Sequence, residues 1–215
     1  GDDTIGAIIV ASKLRGVFSD GADRDELFGS WISGLGAEKN YERFHRAHEM
    51  FVEIENCKKP VIAAINGVAI GAGLELAMLC DLRIASELSF FSLPEAKTEL
   101  SIIPGLGGTQ RLPRYIGAAR AKEMLFLGKM IRAETALEWG LINQISPHKE
   151  VLNQAIDTAK TLLERDARAL KEMKKCINYA VENDILKGIE YEVGLFAEMM
   201  RLKLVKKASD QQKNM

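Results

Sequence analysis

The chain of 215 residues carries 29 Lys and Arg against 30 Asp and Glu, a formal net charge of -1. That balance argues against a nucleic-acid binder that works through bulk positive charge, and it supplies no polybasic membrane signal. With 47% hydrophobic and 27% charged residues the composition is that of a folded chain, large enough to bury a sizeable core as one domain or two small ones.

Three cysteines (Cys57, Cys80 and Cys176) are odd in number and widely spaced, and none forms a CxxC pair. A disulfide framework is therefore not expected, and a reducing compartment is the default. Apolar runs such as Val61 to Ile65 are far too short to span a bilayer, and no signal-peptide pattern opens the chain.

In chain order, Ile5 to Ala11 is an apolar, β-branched run that reads as a buried strand. Lys13 to Gly21 reads as a loop ending in FSDGAD. A short helix is expected to begin over Asp25 to Phe28, and a mobile loop over Ser30 to Lys39. Phe44, Ala47, Phe51, Val52 and Ile54 recur at helical spacing within Tyr41 to Asn56, and Pro60 stops that helix. PVIAAI over Pro60 to Ile65 is a second buried strand. Asn66-Gly67 is a turn pair. A loop of small residues then runs into a helix from about Gly73 to Leu79. Strands are predicted over Leu82 to Ala85 and Ser89 to Leu93. Pro104 to Gly108 is a glycine loop, with Thr109 as the predicted N-cap of the next helix. Helices over Ala118 to Leu127 and Ala133 to Trp139 are closed by Gly128 and Gly140, and the strand LINQIS follows. Residues 151–165, 166–183 and 185–207 read as helices, with a frayed polar tail from Ser209. Strands alternating with helices predict an α/β fold with parallel crossovers, followed by a helical C-terminal part.

Several familiar sites are absent from the sequence. Gly71–Gly73 has Leu76 where a dinucleotide loop needs its third glycine, and the Pro104 loop lacks the Gly-Lys-Ser/Thr of a P-loop. His45 and His48 share a helix face that reads as solvated, His148 has no partner in view, and Cys80 reads as a packed thiol. No metal site is expected. Two carboxylates stand among apolar neighbours. Glu75 lies between Leu74 and Leu76 in the first turn of a helix, and Glu95 lies between Pro94 and Ala96 at a strand end. A carboxyl in an apolar pocket has a raised pKa and exchanges protons near neutrality. From composition alone, a dipole-favoured helix charge for Glu75 and an exposed loop residue for Glu95 are the simpler readings. The GAD at Gly21–Asp23 and the GAG at Gly71–Gly73 each allow close backbone approach, so two N–H groups aimed at one oxygen would make an oxyanion hole. Two ordinary tight turns explain the same residues.

FSDGAD (18–23), KKPVIAAINGVAIGAGLELAMLCDLRIAS (58–86), LPEAK (93–97), IIPGLGGTQRLPRYIG (102–117) and the run A-x-E-W-G-L-I-N at 136–143 occur together, in one order and spacing. The chain thereby resembles the enoyl-CoA hydratase/isomerase (crotonase) superfamily, and is most like its enoyl-CoA hydratases. The resemblance implies a crotonase-like ββα spiral core over 1–145 and a helical C-terminal trimerisation region over 146–215. It places the oxyanion hole on the N–H groups of Ala22 and Ala72 and the two hydratase carboxylates on Glu75 and Glu95. Asp20, Asp23, Arg24, Gly71, Gly73, Pro94 and Gly105 are implied as substrate-binding residues. The implied reaction adds water across the 2,3 double bond of a 2-enoyl-CoA thioester. No cofactor is implied, because coenzyme A is part of the substrate.

The expected assembly is a homotrimer or a dimer of trimers, without membrane or nucleic acid. The expected location is cytoplasmic, or the mitochondrial matrix if a transit peptide is missing. An enoyl-CoA isomerase, another crotonase-type lyase and a non-catalytic or RNA-binding homologue are the alternatives. The sequence departs from the family pattern at Asp25, where Lys is common, and at Ser101, where Gly is common. About two extra residues precede Pro104, which makes Glu99 a weaker rival for the acid. The C-terminal KLVKKASDQQKNM does not match the family's closing helix, which often ends in a basic segment, and Lys203, Lys206 and Lys207 read as a solvated helix face or as a substitute for it. The family's opening two strands are not found before Gly1, so the chain is expected to be a truncated member.

Overall fold

The computed structural model describes residues 2, 4–23, 25, 37–98 and 101–213, without the side chains of 37, 206–208 and 210–213. The chain divides into two compact units, Gly1–Arg165 and Asp166–Met215. In the first unit, the first six strands alternate between two sheets. β1 (Ile8–Ala11), β3 (Val61–Ile65), β5 (Leu82–Ser86) and β8 (Gln144–Ser146) form an all-parallel sheet in the order β1-β3-β5-β8. β2 (Val17–Ser19), β4 (Val68–Ile70), β6 (Phe90–Ser92) and β7 (Ile131–Arg132) form the second in the order β2-β4-β6-β7, with only the last pair antiparallel.

The chain thus repeats strand, strand, helix. The first two turns of this spiral close with α1 (Ala37–Glu55) and α2 (Ala72–Leu79). The third passes through a 3-10 turn at Glu95–Lys97 into α3 (Gly108–Ile116) and α4 (Ala118–Leu127). This is the ββα spiral that the resemblance implied. It also positions the site, because β2, β4 and β6 are neighbours and the loops leaving them stack side by side.

The apolar pattern explains the layers. All five residues of VIAAI in β3 are buried, as a parallel strand covered on both faces requires. Val61, Ala63 and Ile65 point into the main core with Phe91, Leu93, Leu112 and Met124. Ile62 and Ala64 point the other way, onto Val151 and Ala155 of α6 (Val151–Leu163). Each such Val, Leu, Ile, Phe or Met side chain removed from water contributes roughly 1.5–3 kcal/mol before the ordering entropy is set against it. α6 lies beyond the 145/146 boundary read from the sequence, yet it packs on β1, β3 and β5 and belongs with the first unit. Behind the end of α2, Arg83 is only 4% exposed, and its Nε and Nη1 donate to the carbonyls of Leu141 and Cys80 at 2.6 Å each. α5 (Ala133–Glu138) sits between β7 and β8.

Strands β2, β4 and β7 lie where the sequence predicted loops or nothing. At two or three residues each they are too short to show a period, and the neighbouring strands supply their order. α3 begins at Gly108, so its N-cap is Gly107 in left-handed backbone (φ 98) and not Thr109. The helix and most of the loop expected between Asp25 and Lys39 fall outside the described residues, although α1 already begins at Ala37. In the second unit, α7 (Ala167–Glu182) and α8 (Ile185–Lys213) pack on each other. α8 continues through the tail that was expected to fray. Tyr179 and Tyr191 stack with ring centroids 4.4 Å apart beside an open recess of about 550 Å³.

Candidate active site

The tight link between β4 and α2 builds the centre. Gly71 has φ 54, a left-handed value that glycine adopts without strain. Its N–H donates to Ser92 O of β6 at 3.0 Å, and its carbonyl accepts from Leu74 N and Glu75 N. Gly73 packs so closely on β2 that a Cβ there would sit 2.5 Å from Ser19 O and 2.6 Å from Ser19 Oγ. The N-terminus of α2 is therefore wedged between the loops that leave β2 and β6. A Cβ on Gly71 would lie 3.1 Å from Glu95 Oε1 and 3.9 Å from Gly21 Cα. One on Gly21 would lie 3.4 Å from Ile70 O and 3.8 Å from Ala72 N. Gly21, Gly71, Ala72 and Glu95 thus meet at one place. Among the described residues, the N–H groups of Ala22 and Ala72 donate to no acceptor.

The two carboxyls occupy different environments. Glu75 is 2% exposed, and its Oε1 accepts from Leu106 N at 2.9 Å and Gly108 N at 2.7 Å. Burial pushes its pKa up, while the two amides and the Arg111 charge pull the other way. Glu95 is partly buried, and its Oε2 finds no hydrogen-bond partner among the described residues. Burial pushes its pKa up to about 7, and the charge of Glu75 adds to the rise. Near neutrality one carboxyl has two donors that favour its charged form, and the other retains a proton on a substantial fraction of molecules.

Sequence reasoning missed the residues that hold Glu75. Arg111 of α3 grips Glu55, in the last turn of α1, with Nε to Oε1 at 3.0 Å and Nη2 to Oε2 at 2.7 Å. Its Nη1 donates to Leu106 O at 3.1 Å. The partners are 56 and 5 residues away from Arg111, so only the Gly-rich loop running into a helix was visible beforehand.

Asp20 and Asp23 are exposed in the loop after β2. Pro94 opens the 3-10 turn, and its carbonyl accepts from Lys97 N at 2.8 Å. Gly105 is exposed, with open space where a side chain would be. Arg24 and Glu99 lie outside the described residues, as do the side chains of Lys206 and Lys207, while Lys203 is exposed in the second unit. Contrary to expectation His148 has a partner, since its Nδ1 lies 3.1 Å from Ser86 Oγ. Ser86 is fully buried, so this pair presents no nucleophile to solvent. No cluster of three His, Cys, Asp or Glu side chains among the described residues could hold a metal ion.

Two open N–H groups beside a carboxyl pair can stabilise a developing anion while protons are taken up and delivered. Fold and centre together define a ββα-spiral protein with paired carboxyls at the N-terminus of its second helix. The chain belongs to the enoyl-CoA hydratase/isomerase family, whose model matches residues 1–213. It is 40% identical over 201 residues to the short-chain-enoyl-CoA hydratase of Clostridium acetobutylicum, covering 92% of this chain and 76% of that protein. It is 38% identical over 199 residues to the probable mitochondrial enoyl-CoA hydratase 2 of Arabidopsis thaliana, covering 93% of this chain and 64% of the plant protein. The chain thus spans less than two thirds of that relative's length. The crystal structure of an enoyl-CoA hydratase from Bacillus anthracis superposes with a TM-score of 0.84 at 32% identity, covering 98% of this chain and 80% of that one.

Proposed function

We propose that this chain carries the centre of an enoyl-CoA hydratase, which adds water across the 2,3 double bond of a 2-enoyl-CoA thioester. The observation that carries the reading is the unlike pair of carboxyls beside two open amides: Glu75 held by Leu106 N and Gly108 N, and Glu95 with its Oε2 unpartnered among the described residues and its pKa pushed up to about 7. The thioester carbonyl accepts hydrogen bonds from the N–H groups of Ala22 and Ala72. Ionised Glu75 takes a proton from a water whose oxygen forms a bond to C3. The π electrons shift toward the thioester oxygen, where the two amides stabilise the enolate, each worth roughly 3–4 kcal/mol in a well-aligned site. Protonated Glu95 then delivers its proton to C2. One water is consumed, and solvent returns the two carboxyls to their starting states. No step draws on a metal or redox cofactor, and coenzyme A arrives with the substrate. In this reading Asp20, Asp23, Gly71, Gly73, Pro94 and Gly105 are proposed to bind the thioester.

We further propose that the working protein is a homotrimer or a dimer of trimers. Supporting this, α7 and α8 leave Ile177, Ile185, Leu186, Val193, Phe196 and Leu204 between 59% and 77% exposed, and large apolar patches of that kind mark interfaces. Solution scattering that showed only monomers would remove this part of the reading. The catalytic part is tested by following the enoyl thioester absorbance of crotonyl-CoA. Wild type is expected to bleach it, and Glu95→Gln to do so at least a hundredfold more slowly. Equal rates for the two would sink the assignment.

A further inference from the structure

We propose that Arg111, locked by Glu55, is a positioning residue that fixes the 104–108 loop and thereby aims Glu75 at the reacting water. The inference rests on the hydratase reading given above and extends it to two side chains that touch no substrate.

The geometry is a short relay. Leu106 N and Gly108 N both donate to Glu75 Oε1, at 2.9 and 2.7 Å. These N–H groups belong to the 105–106 and 107–108 peptides. The peptide between them carries Leu106 O, and that oxygen accepts from Arg111 Nη1 at 3.1 Å. Arg111 therefore pins the middle of the cradle. It folds back over Gly107, whose φ of 98 and missing side chain leave room for the guanidinium. The 107 carbonyl accepts from Arg111 N at 2.9 Å and Gln110 N at 3.0 Å, which ties the same turn to α3. The other face of the guanidinium is occupied by the two oxygens of Glu55, at 3.0 and 2.7 Å. The Arg111 side chain is 12% exposed and that of Glu55 34%. A two-point grip of this kind holds its geometry far better than a single contact.

The relay also separates the two carboxyls electrostatically. The charged or titratable groups acting on Glu75 and its cradle are Arg111 and Tyr115 from α3, Glu95 from the 3-10 turn and Glu55 from α1. Arg111 favours the ionised form of Glu75. No cation acts on Glu95: burial and the Glu75 charge favour its protonated form, and only a hydrogen bond from its own backbone N–H pulls the other way. A base and an acid thus stay distinct within one pocket.

Three variants of the full chain test the proposal: Arg111→Met, Arg111→Lys and Glu55→Gln. A displacement of about 1 Å at a reacting group can cost on the order of a hundredfold, so Arg111→Met is expected to lower kcat with crotonyl-CoA by 10- to 100-fold. KM should move less than about threefold, because no substrate contact is lost. The acid limb of its kcat profile should move to higher pH, and Arg111→Lys and Glu55→Gln should fall between it and wild type. The carboxyl 13C signal of Glu75, assigned with Glu75→Gln, gives a readout that needs no turnover. Its titration midpoint is expected to rise by about one pH unit in Arg111→Met. A folded Arg111→Met with kcat within twofold of wild type and an unmoved Glu75 titration would overturn the proposal. So would a loss of thermal stability with an unshifted acid limb, which is the outcome for a mere tie between α1 and α3. If Glu75 shifts as expected but wild type never hydrates crotonyl-CoA, the positioning stands and the hydratase reading falls.

Discussion

Replacing Glu95 with Gln should stabilise the protein while disabling it. The unfolded chain releases the Glu95 proton near the ordinary value of 4.5, whereas the folded protein retains it up to about 7. Between those values the native state binds more protons than the unfolded state, so stability falls as pH rises and the loss is complete above the upper value. A shift of that size penalises the ionised form by about 3 kcal/mol at most. Part of the Glu95 side chain remains in water, and screening reduces the expected penalty to about 1–2 kcal/mol. The amide introduced by the substitution carries no charge to bury, so the variant escapes the penalty.

For a chain of this length, that corresponds to a Tm about 2–8 °C above wild type at pH 8.5. The gap should close toward pH 4, where both side chains are neutral. Thermal unfolding followed by far-UV circular dichroism at several pH values reads the effect directly. A variant no more stable than wild type at pH 8.5, or a gap independent of pH, would refute the electrostatic account of Glu95. Stability gained as activity is lost is the usual sign of a strained functional group.

Other substitutions probe the same centre. Ala72→Pro removes one amide hydrogen at the first position of α2, where helices tolerate proline, and should lower kcat on the order of a hundredfold or more with the fold retained; circular dichroism and the crotonyl-CoA assay together check it. Gly108→Ala would bring a methyl to 3.0 Å from Glu75 Oε1 and 2.9 Å from both Leu93 Cδ1 and Pro104 Cβ. It should cost about 1–3 kcal/mol in urea unfolding and reduce turnover as Glu75 is displaced. Ser101 holds a left-handed φ of 48 without being glycine. Ser101→Gly should therefore raise the stability measured in urea by up to about 1 kcal/mol, the relieved strain being partly offset by the freer unfolded chain.

The contrast between what the sequence disclosed and what it concealed is local against long-range. VIAAI announced a doubly covered strand by its composition, and Gly128 and Gly140 marked helix ends through their left-handed turns. β2, β4 and β7 were hidden because two or three residues carry no period, and their order comes from pairing with strands about 20 or more residues away in the chain. For Glu75 and Glu95, apolar neighbours suggested perturbed acids, and the structure buries both at least in part. Which of them received donors could not be read from their neighbours. Glu75 takes its amides from 31 and 33 residues downstream, and the arginine behind those amides is anchored 56 residues upstream. Ser101 is the reverse case: a departure from the glycine pattern that the backbone retains as strain.

The most direct test of the central claim is product analysis of crotonyl-CoA turned over in 18O-labelled water, with wild type, Glu75→Gln and Glu95→Gln compared by mass spectrometry. The account predicts that wild type forms a 3-hydroxyacyl thioester carrying one solvent oxygen at C3 and one solvent hydrogen at C2, and that both variants form it at least a hundredfold more slowly. Unlabelled product with a relocated double bond, or labelled product formed as fast by either variant as by wild type, would contradict it.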